Sequence, residues 1–509
     1  MGRHMSNRYS DLWKRQKWKS LRRNLFRLQR RVYKAVQAGD LKKARSLQKL
    51  IMKSRAAQLL AIRQVTQLNQ GKRTAGVDGK SSLTYKERFE VLKKLGDSAE
   101  NWTHLGLREI PISKKNGGTR MLKVPTIQDR AWQCLAKFAL EPAHEAKFSA
   151  YSYGFRTGRG AQDAQKLLFL NLCSNKNGIN KRVIELDIKK CFDNISHDSI
   201  MDRLLAPAGL KMGIFRCLKA GINPEFHDEE RGTPQGGVVS PLLANIALNG
   251  IEEITPKNRC IRYADDMVII LKPKDNAEKV LEKIKTFLNE RGMEISEEKT
   301  KLTNTTDGFD FLGWNFRVQK NGKFRCIPSV ENHRNIRKKI KAVVNNSNYG
   351  AKEKAKRLAP IVRGWRNYHK SCDMSSSRDS LWFMKNTAHR KFRKEKKVNR
   401  YRANELCKEA FPAVGYEQNQ HINVRGTKSP YDGDLVYWSK RNSKLYDNAT
   451  SEALKRQNHS CGHCGLKFID EERIHLHHID GNHSNWKYNN LMAVHQSCHQ
   501  QLHWSQKNT

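Results

Sequence analysis

Two adjacent carboxylates, Asp265 and Asp266, stand between the short runs Cys260-Ile261-Arg262-Tyr263 and Met267-Val268-Ile269-Ile270-Leu271. Apolar, β-branched flanks of this length predict two strands with the acidic pair at the tight turn between them. Side by side, the two carboxylates repel, and both ionise cheaply only where a cation neutralises them. A third carboxylate is available, because Asp187 closes the apolar run Val183-Ile184-Glu185-Leu186. Three oxygen-only ligands suit Mg2+, which keeps waters and shares its sphere with substrate phosphates. Two such ions roughly 3.5–4 Å apart can clamp the attacking hydroxyl and the leaving pyrophosphate of an in-line displacement. Taken alone, an Asp-Asp pair is equally a polar hairpin tip.

A second constellation lies near the far end. Cys461-Gly-His-Cys464 has the spacing of a zinc knuckle, and His495-Gln-Ser-Cys498 supplies a second pair. Cys₃His is an ordinary tetrahedral zinc set, able to fold a module too small to bury its own core. Inside that clip stand His477-His478-Ile479-Asp480 and Asn489-Asn490, with His499 just after it. A purely structural zinc finger requires the first set and not the second.

Tyr263-Ala264-Asp265-Asp266 at a hairpin, with Asp187 upstream, resembles the palm of a reverse transcriptase. The chain as a whole resembles group II intron-encoded proteins, which combine reverse transcriptase, RNA-splicing maturase and often a DNA endonuclease. The blocks that carry this are Ser152-Tyr153-Gly154-Phe155-Arg156-Thr157-Gly158-Arg159, the run from Gly232-Thr233-Pro234-Gln235-Gly236 to Asn245, and Arg363-Gly364-Trp365. The resemblance implies that Asp187, Asp265 and Asp266 hold two Mg2+ ions. It places Phe192 beneath the incoming sugar, where the ring would exclude a 2′-hydroxyl, and Gln235 beside that sugar. Lys114 and Arg120 flank an Asn-Gly-Gly turn and would close over a triphosphate, and Lys299 would sit near pyrophosphate or simply at the surface. Arg156 and Arg159 would meet template phosphates. The C-terminal module resembles an HNH nuclease of ββα-metal type. In it His477 and His499 would bind a catalytic divalent ion, His478 would activate water, and Asn490 would orient the loop or His478. Many relatives have Cys where this chain has His495, the fourth zinc ligand beside Cys461, Cys464 and Cys498.

These residues need elements to place them. From Ser10 to Val65 apolar residues recur at helical spacing, with a break at Gly39-Asp40. Arg22, Arg23, Arg27, Arg30 and Arg31 crowd the first helix, a density that points to RNA backbone contacts. Arg108–Arg120 reads as a hairpin, and Ala277–Arg291 as an amphipathic helix stopped by Gly292. Residues 336–372 read as basic helices, and 385–448 as a basic stretch leading into irregular sequence.

The expected fold is therefore α+β and multidomain. It comprises a helical extension (1–65, with 1–4 resembling an expression scar), right-hand polymerase fingers and palm (66–330), and a helical thumb or maturase domain (331–384). A basic DNA-binding region (385–448) and a zinc-clipped HNH domain (449–509) complete it.

Composition agrees with polyanionic partners. The 509 residues carry a formal net charge of +46, which favours nucleic acid and predicts steep salt dependence. No apolar run is long enough to span a membrane. Eight of the 11 cysteines are scattered singly, as in a reducing compartment, whereas nine of the 18 histidines fall in the last 51 residues. The expected partners are a group II intron RNA, a target DNA duplex and dNTPs, with no membrane and with the oligomeric state open. A cytoplasmic or nucleoid-associated setting in a bacterium is expected, an organelle being the alternative. A splicing-only maturase and a retron- or defence-type reverse transcriptase are the competing functions.

Overall fold

The computed structural model describes residues 2–113, 118–221, 231–256, 259–395, 398–415, 418–443, 446, 448–466, 468 and 474–506. The N-terminal region is four helices, Gly2–Lys14, Trp18–Gln37, Leu41–Lys53 and Arg55–Arg63, not the expected pair. Gly39 turns the chain at φ +77° and Asp40 caps the third helix by accepting from Lys43 N at 2.9 Å. Ser54 makes the additional break, capping the fourth helix through Ala57 N. The boundary placed at residue 65 falls inside the π-helical turn Gln64–Leu68 that continues this stretch. Trp18, Leu25, Val32, Leu47, Ile51 and Ile62 join one core with the nearly wholly buried helix Ile127–Glu145.

The fingers hairpin is β1 (Arg108–Ser113) and β2 (Thr119–Val124), paired antiparallel. The palm sheet runs β4-β5-β3-β6, built from β3 (Arg182–Leu186), β4 (Cys260–Tyr263), β5 (Asp266–Leu271) and β6 (Lys301–Asn304). β3 and β5 are buried almost end to end, which is why they read as continuous apolar runs. Helices Ser240–Leu248 and Ala277–Asn289 add Leu243, Ile246, Ile284 and Leu288 to the same core. A second sheet, β7 (Phe309–Phe311), β8 (Trp314–Val318) and β9 (Phe324–Pro328), leads to the thumb.

The thumb is larger than the sequence suggested. Helices Val330–Val344, Ala351–His369, Ser375–Arg393 and Arg400–Ala410 share one core that includes Ile340, Leu358, Leu381, Phe392 and Leu406. The boundary at 384/385 therefore cuts a helix whose far half packs as firmly as its near half. A basic exposed face hid an apolar inner one.

Beyond the thumb, the chain does not trail off as an irregular basic tail. Residues 418–443 form a strap that docks on helices Ile127–Glu145 and Ala161–Leu172. Arg441 and His421 meet Asp163 at 2.7 and 3.1 Å, Tyr431 donates to Glu141, and Trp438 is fully buried over Gly158. Helix Asn448–Arg456 then opens the last module, where β10 (Ile474–His478) and β11 (Leu491–His495) pair antiparallel and run into helix Gln496–Gln506. This is the expected ββα order.

Candidate catalytic centres

β4 and β5 pair as Tyr263↔Asp266, leaving Ala264 and Asp265 as a two-residue turn. Ala264 takes φ +60°, a left-handed backbone that costs a non-glycine residue energy and needs support. The support is built. Arg262 is wholly buried, paired to Glu252 at 2.5 Å, and it donates to Asn245 Oδ1 at 2.9 Å and to Ala264 O at 3.2 Å. Asn245 in turn donates to Gly154 O at 2.9 Å. A Cβ on Gly154 would lie 2.4 Å from Ala264 N, so only glycine lets this loop approach the turn. Tyr153 N donates to Arg262 O, fixing the same segment along β4. Arg262 and Glu252 were missed in the sequence, although a cation inside an apolar strand demands a buried partner.

The antiparallel register sets Leu186 opposite Met267, which brings Asp187 beside Asp266 at the open end of the sheet. One oxygen from each of the three carboxylates does not come within 4.8 Å of the other two. Instead Lys299 Nζ donates to Asp187 Oδ2 at 3.0 Å. Burial raises the Asp265 carboxyl. Asp266 keeps its side chain at the solvent edge, yet surrounding protein, then Asp265 and Asp187, push its carboxyl up to about 6. Oxygen donors held this way, their repulsion only partly offset by Lys299, fit a hard divalent cation.

Around this turn the structure assembles the other expected residues. Arg120 on β2 donates to Gln235 Oε1, and Gln235 Nε2 donates to Asp193 Oδ1 at 3.0 Å. The two bonds tie finger to palm and fix which way the Gln235 amide faces. Phe192 is half-buried, edge-on to Phe155 with ring centroids 6.5 Å apart. Lys114 lies outside the described residues.

Two groups of arginines depart from expectation. Arg156 is buried and bidentate to Glu145 at 2.7 and 3.0 Å, and Arg159 is buried with its donors on Ala150 O, Gly426 O and Lys428 O. Neither faces a template; both pin the block that supports the turn. On the first long helix, Arg22 donates to Ser497 Oγ at 3.0 Å and Arg30 covers Gly433, leaving Arg23, Arg27 and Arg31 exposed.

In the last module, the ligand atoms of Cys461, Cys464, His495 and Cys498 all lie within 4.8 Å of one another, and all four residues are buried. His495 Nδ1 is 3.3 Å from Cys464 Sγ and 3.8 Å from Cys498 Sγ. A tetrahedron with metal–sulfur bonds of about 2.3 Å has edges near 3.8 Å, so this donor set fits zinc. Neighbouring sulfurs hold the Cys461 thiol far below its usual range. A second cluster joins His477 and His499 to His503, which the sequence reading passed over. The signal was there: His499 and His503 are four apart on one helix and so share a face. Burial first, then the neighbouring imidazoles, lower His499 to about 4 and also lower His477, which leaves neutral ring nitrogens free to ligate. His478 is 6% exposed against His483 and Trp486, and neither ring nitrogen has a hydrogen-bond partner among the described residues. Asn490 serves the loop, not His478: it accepts from Asp480 N and donates to Asp480 Oδ1 and Asn485 O.

Comparison with known proteins gives three family matches. Residues 112–316 match the reverse transcriptase (RNA-dependent DNA polymerase) family, 13–95 the N-terminal domain of reverse transcriptase, and 333–405 the group II intron maturase-specific domain. Maturase-like protein 1 of Euglena gracilis is 37% identical over 89% of this chain and 96% of its own length. Its counterpart in Euglena longa is 34% identical over 88% and 96%. The group II intron-encoded protein LtrA of Lactococcus lactis is 30% identical over 52% of this chain and 55% of its own. Relatives from Euglena give the expectation of a bacterial source no support. No helix among the described residues is long and apolar enough to cross a membrane.

Proposed function

Because this chain belongs to the group II intron reverse transcriptase and maturase family, we propose that it binds an intron RNA, assists its splicing, nicks a target DNA, and copies RNA into DNA from the nick. The carrying observation is the supported turn that holds Asp265 and Asp266 beside Asp187. These three would hold Mg2+, whose charge offsets that developing on the attacking 3′-oxygen and departing pyrophosphate. Phe192 walls off the sugar 2′ position, Gln235 borders the sugar, and Arg120 and Lys299 place positive charge toward the triphosphate. dNTPs are the substrates of this site.

In the last module Cys461, Cys464, His495 and Cys498 would hold structural zinc. His477, His499 and His503 would hold a divalent ion that polarises a DNA phosphate. His478, with its ring nitrogens uncommitted, takes the proton from the attacking water, and Asn490 stiffens the Asp480 loop beside it.

The two centres separate by mutation. Asp265→Ala and Asp266→Ala should lower primer extension by about a thousandfold or more and leave nicking and RNA binding intact. His478→Ala should lose cleavage of one strand, keep zinc and extend a supplied nick, whereas Cys461→Ser should lose zinc, the module's fold and nicking together. Extension by the double Asp265/Asp266 alanine variant sinks the polymerase assignment. Wild-type nicking by His478→Ala leaves a structural zinc finger.

A further inference from the structure

A cleft of about 890 Å³ is lined at once by Gly236 and Gly237 beside Gln235 and by residues of the last module. Gly236 and Gly237, next to Gln235, form its inner end together with Val124 at the foot of β2. Its outer wall is foreign to the polymerase, since Pro430 and Tyr431 come from the strap and His475 and Gln496 from the zinc module. The wall is held in place by contacts far apart in sequence. Arg22 and Arg63 both donate to Ser497, and Tyr431 reaches Glu141 at 3.2 Å.

The lining is net positive. Arg23 is exposed; Arg22 and Arg63 spend a donor on Ser497, the buried Arg130 holds Gly71 O and Thr74 O, and Lys137 lies 3.9 Å from the one lining carboxylate, Glu141, which also accepts from Thr157 and Tyr431. Phe26, Phe138 and Tyr431 add ring surface between the cations. Cations that track phosphates and rings that take base faces are the chemistry of unpaired nucleic acid. The volume lies in the range of small-molecule sites. That is room for a few unpaired nucleotides.

Resting on the polymerase reading above, we infer that the strap and the zinc module roof the path by which single-stranded RNA template reaches the copying site. The Arg120–Gln235–Asp193 chain marks the nucleotide end of that site, so a strand lying beyond Gly236 is template not yet copied. The thumb attaches elsewhere, through Tyr368 stacked on Trp314 at 4.6 Å. The nuclease module thus has a second task. His475 lines the template path while its ring lies 5.2 Å from that of His499.

The test uses the full chain and primed RNA templates whose unpaired 5′ tail is either a single nucleotide or long enough to cross the cleft. The long tail should lower KM for primed template about tenfold, roughly the worth of one stacked base. Arg23→Glu and Gln496→Glu should each shrink that long-to-short ratio. Thiouridine placed along the tail should photocrosslink to the strap near Tyr431 and to the zinc module near His475 and Gln496. These crosslinks need no catalysis, so their presence in Asp265→Ala supports the path independently of polymerase chemistry. Equal KM for both tails with extension intact, or crosslinks confined to the thumb, overturns the roofed path and spares the polymerase reading. Loss of extension on every template, in the wild-type chain, removes both.

Discussion

At Asp266 a carboxyl held at about 6 makes the polymerase site respond to acid. A raised carboxyl binds its proton more tightly folded than unfolded. Its contribution to stability is therefore present below the unfolded value and is lost as pH rises through about 6. A divalent ion needs the carboxylate, so it binds weakly below that window and offsets the loss above it. The Mg2+-dependent rise in Tm should accordingly grow as pH is taken from below about 6 to neutrality; a rise that is flat across this window would falsify the assignment of Asp266 as a ligand. Phe192 makes a second prediction. Trimming it to Val opens space beside the sugar, and the preference for deoxy- over ribonucleotides should fall by about ten- to a hundredfold, the usual worth of an apolar filler. Competition between dNTP and NTP in single-nucleotide extension measures it. Both residues were singled out in the sequence because each belongs to a short local pattern. Arg156 and Arg159 were misread because a buried, paired guanidinium and a phosphate-seeking one have the same letter. Their partners, Glu145 and the carbonyls of Gly426 and Lys428, are set by the fold.

Among the elements, the two hairpins were readable from alternation and turn chemistry, since those signals are local, whereas the ββα order came only with the resemblance carried by the His477-His478 block. The strap was not. Its anchoring pair, Arg441 and Asp163, is separated by 278 positions and is almost fully buried. Arg441→Leu leaves the buried Asp163 only His421 and the Gly160 and Val424 N–H groups, so it should cost about 3 kcal/mol of stability, the low end for a broken buried pair, seen as an earlier denaturant midpoint. A surface-pair effect below about 1 kcal/mol would mean that the strap leaves the body in solution. The thumb boundary failed for a related reason: the cations of Ser375–Arg393 dominate its composition, while Leu381, Ala388 and Phe392 alone decide where it packs.

For the molecule as a whole, +46 charges make salt the controlling variable. RNA affinity should fall linearly in log salt, and reversing the exposed Arg23, Arg27 and Arg31 should flatten the slope by about one per lost phosphate contact. Filter binding over a salt series checks this, and an unchanged slope moves the RNA surface off the first long helix. That helix also has a history written into its contacts. Arg22 meets Ser497 across 475 residues of chain. At about 5–20 residues per second a ribosome needs roughly 25–95 s to supply that partner. Throughout that interval Arg22 lacks the last module that later holds it, and RNA present then should meet this stretch of the helix uncovered. Order of synthesis should therefore set order of assembly, RNA first and roof second.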